Sequence, residues 1–308
     1  MEAQAANMAS CPSRTRVGLI AGWGSYPLAI ARALRRQGAE VYCLGVAGYA
    51  DPALREICDD FRWMGLARFG SAIRHFQRHG VHRATMAGKI HKGFMFQPWF
   101  WIRLVPDLAT IRAFLPHFLT RQRDCKDDTL LMRVVQLFAA AGIELGPASD
   151  YAPELLVEAG PIGGRSPTPG QWKDIRFGWA IAKEIGRLDI GQSVAVKNQA
   201  VLAVEAVEGT DQCIRRAGGL CPAGEITVVK VAKPQQDMRF DVPTIGLGTL
   251  ESMVAAGARV LAVEAGRTIV LDEPGVVAFA DRHKLVLVAL DQAALDLDDA
   301  RVGRAPRA

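Results

Sequence analysis

The stretch VGLIAGWGSYPLAIARALRRQGAEVYCLGV, residues 17–46, decides the fold. Val17–Ala21 is a short apolar run, the length and composition of a buried strand. A loop, Gly22-Trp23-Gly24-Ser25-Tyr26-Pro27, follows it. From Leu28 to Gln37 the apolar residues Leu28, Ala31 and Leu34 recur at helical spacing, and Gly38 ends the run. Val41–Val46 then reads as a second strand. A strand, a crossover helix and a second strand in this order imply a parallel pair.

The alternation continues outward from this unit. Ser71–His79 reads as a helix and Val81–Ala87 as a third strand, and a further helix starts at Asp127 and Asp128 and stops at Gly142. One stretch breaks the order. Residues 93–119, GFMFQPWFWIRLVPDLATIRAFLPHFL, hold three prolines and a dense aromatic cluster. Either it is an irregular insertion packed on the domain, or Phe94, Phe96, Trp99 and Trp101 form a greasy surface for acyl chains or a membrane.

Gly, Pro and Ser become frequent between Gly146 and Pro169, which marks a boundary. Thr168-Pro169-Gly170-Gln171 then supplies an N-cap Thr, a Pro at N1 and a Gln at N3, so a helix begins there. Ser193–Lys197 and Val201–Ala206 flank the turn residues Asn198 and Gln199, as in a hairpin. Further strands are expected at Ile226–Val231, Arg259–Glu264 and Thr268–Leu271. Helices are expected at Asp211–Ala217, Leu250–Ala256 and Gly275–Arg282. The reading is therefore α/β with two mixed domains, the first Rossmann-like with a largely parallel sheet. The expected division is a disordered tail at 1–15, a first domain at 16–150, a linker at 151–168, a catalytic α/β domain at 169–295 and a charged tail at 296–308.

Composition bounds the function. The 308 residues are half hydrophobic and 22% charged, ordinary for a folded protein, and no apolar run reaches bilayer-spanning length. The N-terminus lacks the apolar core of a secretory signal, so the expected compartment is the cytoplasm. Six scattered cysteines form no C-x-x-C pair and read as free thiols. The net charge of +5 favours an anionic ligand, without the basic stripe that nucleic acid requires. There is no G-x-S-x-G elbow, no H-E-x-x-H and no full Walker A motif. His75 and His79, four apart on the expected helix, could share a metal, although polar residues facing solvent are the more frequent cause of such a spacing.

Two regions could carry chemistry. Gly22 and Gly24, between a strand and a helix, outline a phosphate cradle, although a tight turn has the same sequence. A nicotinamide site is disfavoured, because Pro27 replaces the third glycine and no acidic residue ends the second strand. The second region is denser. Glu205, Glu208, Thr210 and Asp211 sit together in VEAVEGTD, Lys230 and Lys233 in KVAKP, and Asp237, Arg239 and Asp241 in QDMRFDVP. Carboxylates can hold Mg²⁺ while Lys and Arg pair with phosphate oxygens, which is what diphosphate hydrolysis needs. Solvated loops with surface ion pairs would have the same composition.

The strings GLIAG with Pro27, MAGKI at Met86–Ile90, Asp127-Asp128, DIRFGWAIAKEIGRLDIGQSVAVK, VLAVEAVEGTD and QDMRFDVPTIG resemble the LpxI-type UDP-2,3-diacylglucosamine pyrophosphatases of lipid A biosynthesis. The resemblance runs from about Val17 to about Leu290. Trp23, where a smaller residue is expected, and the tail before Thr15 depart from the pattern. The resemblance implies a two-domain hydrolase with its ligand cleft between the domains. It implies that Mg²⁺ and water cleave the diphosphate into UMP and 2,3-diacylglucosamine 1-phosphate (lipid X). The catalytic aspartate falls in QDMRFD, as Asp237 or Asp241. The expected metal ligands are Asp237, Asp241 and Glu208. The expected substrate contacts are Gly22, Gly24, Lys89, Lys197, Thr210, Asp211, Lys230, Lys233 and Arg239. Peripheral contact with the cytoplasmic face of the inner membrane and a homo-oligomer are compatible with this reading. The alternative is a nucleotide-sugar binding protein or transferase without a water nucleophile.

Overall fold

The structure is a computed structural model, and it describes residues 14–90, 105–119, 127–235, 237–239, 242–291 and 293–295. It divides into two compact units. The first takes in the described residues up to Ile90 and the helical stretch that ends before Gly146; the second takes in those from Pro147 onward.

The first unit is a five-stranded parallel sheet. Its strands are β1 (Arg16–Ala21), β2 (Glu40–Val46), β3 (Asp60–Met64), β4 (Arg83–Ala87) and β5 (Glu144–Gly146). They lie in the order β3-β2-β1-β4-β5, the Rossmann-like arrangement. Crossover helices include Tyr26–Arg36 and Phe69–Arg78. The first carries Pro27 in its opening turn and Arg35 and Arg36 in its last, and it buries Ile30, Ala31 and Leu34. The helix over Phe69–Arg78 lays Ile73 and Phe76 on the sheet, where they meet Phe138 of the Asp127–Ala140 helix. The strand read from sequence at Val81–Ala87 is thus the fourth. The third, Asp60–Met64, lacks a sequence signal because it is an edge strand whose Arg62 and Trp63 face solvent.

The second unit has a six-stranded mixed sheet. It comprises β6 (Gly160–Pro161), β7 (Ser193–Lys197), β8 (Ala200–Val204), β9 (Ile226–Lys230), β11 (Ala258–Glu264) and β13 (Val286–Leu290). The order is β6-β13-β11-β9-β7-β8, with β9, β11 and β13 parallel and the others antiparallel to their neighbours. Ile175, Trp179 and Ala182 of the Pro169–Arg187 helix cover one face. Helices Thr210–Leu220, Leu247–Ala255 and Glu273–Arg282 supply Ile214, Leu250 and Val276 to the other. Thr168 and Gln171 form the expected capping box, with hydrogen bonds of 3.3 and 2.9 Å. Asn198 and Gln199 both have positive φ, 50° and 58°, as a two-residue hairpin loop demands. Asp174 fixes that loop by accepting from both backbone N–H groups, at 3.0 and 2.7 Å.

Two expectations need correction here. The segment 151–168 is not a free linker: Gly160–Pro161 pairs with β13, and Val157 and Ile162 join the core. The strand expected at Thr268–Leu271 shrinks to β12 (Ile269–Val270), which pairs with β10 (Thr244–Ile245) outside the main sheet.

Candidate functional site

In the first unit, the Gly22–Gly24 loop leaves β1 at the point where the strand order reverses, between β1 and β4. Its amides are largely committed. Gly22 N–H donates to Ala87 O at 2.8 Å, Trp23 N–H donates to Lys89 O at 2.9 Å, and Lys89 N–H returns to Trp23 O at 2.9 Å. The fit is close enough that a side chain at Gly88 (φ +95°) would meet Gly22 C and Pro27 Cγ at 2.8 Å. The loop is therefore a two-stranded closure of the crevice, and the Gly22 and Trp23 amides are not available to a phosphate. Gly24 (φ +102°) turns the chain into the following helix. Trp23 is 51% exposed, and the Lys89 side chain is exposed too.

The second unit concentrates buried polarity at the edge where its parallel strands end. Ser193 opens β7 opposite Lys230, which closes β9. Glu205 follows β8 and hydrogen-bonds through its N–H to Ser193 O at 2.9 Å. Gly209 (φ +84°) then turns the chain so that Thr210 begins a helix at the same edge. The Thr210 hydroxyl donates to Glu205 Oε1 at 3.0 Å. A hydroxyl has one proton, so its lone pairs receive Lys230 Nζ at 3.1 Å and Ser193 Oγ at 3.3 Å. Lys230 also donates to Thr244 O at 2.9 Å. Burial is severe: Lys230 is 1% exposed, Glu205 7%, and Glu205 Oε2 is enclosed without a hydrogen bond. Opposite charges bridged by a hydroxyl are what makes ionised groups tolerable there.

Lys230 was expected to touch phosphate. At 1% exposure it sits behind the surface and contributes charge rather than contact. Thr210 is likewise buried, while Asp211, in the first turn of the same helix, is half-buried.

The loop that leaves β9 is the more accessible element. Glu264, at the end of β11, clamps its start: Oε2 accepts Lys183 Nζ at 2.7 Å and Ala232 N–H at 2.8 Å. Lys233 pairs with Asp189 at 2.5 Å. Farther on, Arg239 wraps around Asp237, with Nε donating to Oδ1 at 2.9 Å and a terminal nitrogen donating to Oδ2 at 2.5 Å. The Arg239 N–H also donates to Oδ1, at 3.0 Å. The guanidinium holds the Asp237 carboxyl below the usual carboxylate range, with burial acting in the opposite direction. Asp237 is thus a preformed carboxylate on a partly exposed turn. Asp241 lies outside the described residues, as do Phe94, Phe96, Trp99 and Trp101 of the aromatic stretch.

Two expected contacts are turned to structural work. Glu208 Oε1 accepts from Arg216 at 2.6 Å and Oε2 from Ala206 N–H at 3.1 Å. Lys197 Nζ donates to Gly224 O at 2.7 Å. Ser193, Thr244, Lys183 and Glu264 shape the site without being among the residues expected from the sequence. Ser193 was detectable, being a polar residue opening a strand that is otherwise apolar up to Lys197. Thr244 and Glu264 are recruited by strand neighbours remote in sequence.

Among the described residues, no helix is long and apolar enough to cross a membrane. The family descriptions "LpxI N-terminal domain" and "LpxI C-terminal domain" match residues 16–155 and 158–288. A curated protein of Caulobacter vibrioides, "UDP-2,3-diacylglucosamine pyrophosphatase LpxI", is 34% identical over 283 residues, spanning 90% of this chain and 98% of its own. A solved structure titled "Crystal structure of gox2253" aligns over 94% of this chain and 93% of its own, at 13% identity and a TM-score of 0.27, and nothing here rests on it. With both halves matched and a relative similar from end to end, the chain belongs to the LpxI family.

Proposed function

We propose that this protein hydrolyses the diphosphate of UDP-2,3-diacylglucosamine, releasing UMP and 2,3-diacylglucosamine 1-phosphate at the cytoplasmic face of the membrane. The observation that carries the reading is the 34% identity to the curated pyrophosphatase along 90% of the chain. In the reaction, water adds to one phosphorus and the bridging P–O bond breaks, so both products leave as monophosphates. Asp237 is the group we assign to the water. Arg239 keeps it ionised, and an ionised carboxylate can accept a hydrogen bond from the attacking water and so orient it. The N-terminus of the Thr210–Leu220 helix brings the positive end of its dipole to the edge where β9 ends, which favours a diphosphate there, while the Lys230 ammonium is offset by the Glu205 carboxylate across Thr210.

A Mg²⁺ requirement, held through Asp237, Asp241 and Glu208, is part of the proposal by way of the family resemblance. As placed, Asp237 and Glu208 do not fit a divalent cation, since each carboxylate is engaged by an arginine. They would have to release Arg239 and Arg216 first, so no step above is routed through the ion.

The test is UMP release from the diacylated substrate, with Mg²⁺ and with a chelator, for wild type and Asp237→Ala. The expected outcome is a loss of about a hundredfold or more in turnover, with an unchanged melt and retained substrate binding. Near-normal turnover in the variant would remove Asp237 from the chemistry. Full activity in the chelator would remove Mg²⁺. UMP formation only in the presence of an acceptor would favour the transferase reading instead.

A further inference from the structure

The first unit holds a polar constellation that diphosphate hydrolysis does not use. Asp60 opens the edge strand β3, and His75 and His79 lie one turn apart at the end of the Phe69–Arg78 helix, where His79 is the C-cap. One ring nitrogen from each histidine and one carboxylate oxygen of Asp60 all lie within 4.8 Å of one another. This is the only such group among the described residues. It stands where the strands of the sheet begin, the opposite edge from the Gly22–Gly24 loop, which follows the end of β1.

A second observation points to a ligand. His75 is 6% exposed, and its Nε2 and the facing Asp60 Oδ2 are both enclosed without a hydrogen bond. They nevertheless approach to 3.0 Å. Two buried electron-pair donors this close, unaligned for an N–H bond, leave each other unsatisfied. Bonds of about 2.0–2.1 Å from a tetrahedral ion would set two donors roughly 3.3 Å apart, close to the spacing seen. Arg62 Nε lies 3.6 Å from the same Asp60 oxygen, a charge that a cation there must outcompete.

We propose that Asp60, His75 and His79 form a binding site for a transition-metal dication, with Zn²⁺ as the natural occupant, that pins the edge strand β3 to the end of the Phe69–Arg78 helix. Two imidazoles and one carboxylate suit zinc rather than Mg²⁺ or Ca²⁺, which prefer oxygen donors. Three protein ligands leave a fourth position for water. The inference is independent of the hydrolase reading.

The test is calorimetric titration of Zn²⁺ into the tag-free, chelator-stripped full chain, with a melt at each end point. Wild type should take up one equivalent and melt higher with zinc than without. His79→Gln and Asp60→Asn should each weaken binding by more than the 10–100-fold typical of losing an outer partner, while His283→Gln on the second unit leaves it unchanged. His79 and Asp60 are half-buried, so both variants should melt near wild type without metal, which separates lost ligation from lost folding. If wild type shows no saturable uptake, the cluster is a simple His–Asp ion pair. If both variants bind as wild type does, zinc sits elsewhere. Either result overturns the proposal.

Discussion

Replacing Thr210 by Val keeps the side chain's shape and removes one hydroxyl, and it should cost the second unit about 3 kcal/mol. Among the described residues that hydroxyl is the one hydrogen-bond donor to the Glu205 carboxylate, whose Oε2 is enclosed without one. It also accepts from Lys230 and Ser193. A hydrogen bond to a charged group is worth about 1.5–3 kcal/mol, and stripping the last one from a buried carboxylate belongs at the upper end. Lys230 retains its bond to Thr244 O, so its loss adds less. For a unit of this size each kcal/mol moves the midpoint by about 2–4 °C, which gives a fall of about 6–12 °C. The assay is differential scanning calorimetry at neutral pH, following the transition of the second unit. Thr210→Ser keeps the hydroxyl and loses one methyl, about 0.8 kcal/mol, so it should fall by only about 2–3 °C. A Val variant within about 2 °C of wild type, or a Ser variant as damaged as Val, would refute the argument that the hydroxyl neutralises a buried charge pair.

Two smaller perturbations address the first unit. Gly88→Ala should destabilise it by about 2 kcal/mol or more, since the position needs φ +95° and the new methyl would meet Gly22 C and Pro27 Cγ at 2.8 Å; a thermal melt showing no change would mean the closure is looser than described. Asp107→Ala should cost about 1–2 kcal/mol at neutral pH, because Asp107 accepts from Ser71 N–H at 2.7 Å and from Thr110 N–H at 3.0 Å, serving the first turns of the helices Phe69–Arg78 and Leu108–Leu119. Burial raises the Asp107 pKa, but these donors outweigh it and leave the group below its ordinary value. Its contribution should therefore be fully present above the ordinary carboxylate pKa and vanish as pH falls through the depressed one, so denaturant titrations of the two proteins should converge in acid.

How far the sequence could be read follows from which signals are local. The Thr168-Pro169-Gly170-Gln171 cap, the Asn198-Gln199 turn and the run over residues 17–46 are each decided within a few residues, and each formed as expected. Val286–Leu290 was equally readable, a continuous apolar run of strand length, and was passed over; Asp60–Met64 was not, because an edge strand keeps only one buried end. The site is harder for a different reason. A glycine loop looks like a phosphate cradle until the chain at and beyond the end of β4 claims its amides, Ala87 O accepting from Gly22 N–H and an isolated antiparallel bridge joining Trp23 to Lys89. A lysine at a strand end looks like a phosphate contact until Thr210 and Thr244 enclose it. Composition grouped residues that the fold also gathers, since Glu205, Thr210, Lys230 and Asp237 all belong to loops and strand ends of one sheet edge or its exit loop. It could not say which charges face inward, because pairing of Ser193 with Lys230 is set by register across the sheet. The division that results has a physical logic: Lys230 and Glu205 hold a fixed charge arrangement out of water, and Asp237 with Arg239 sits on a partly exposed turn. A group that must release an arginine to meet a ligand has to be near the surface, and a group that only sets the local potential need not be.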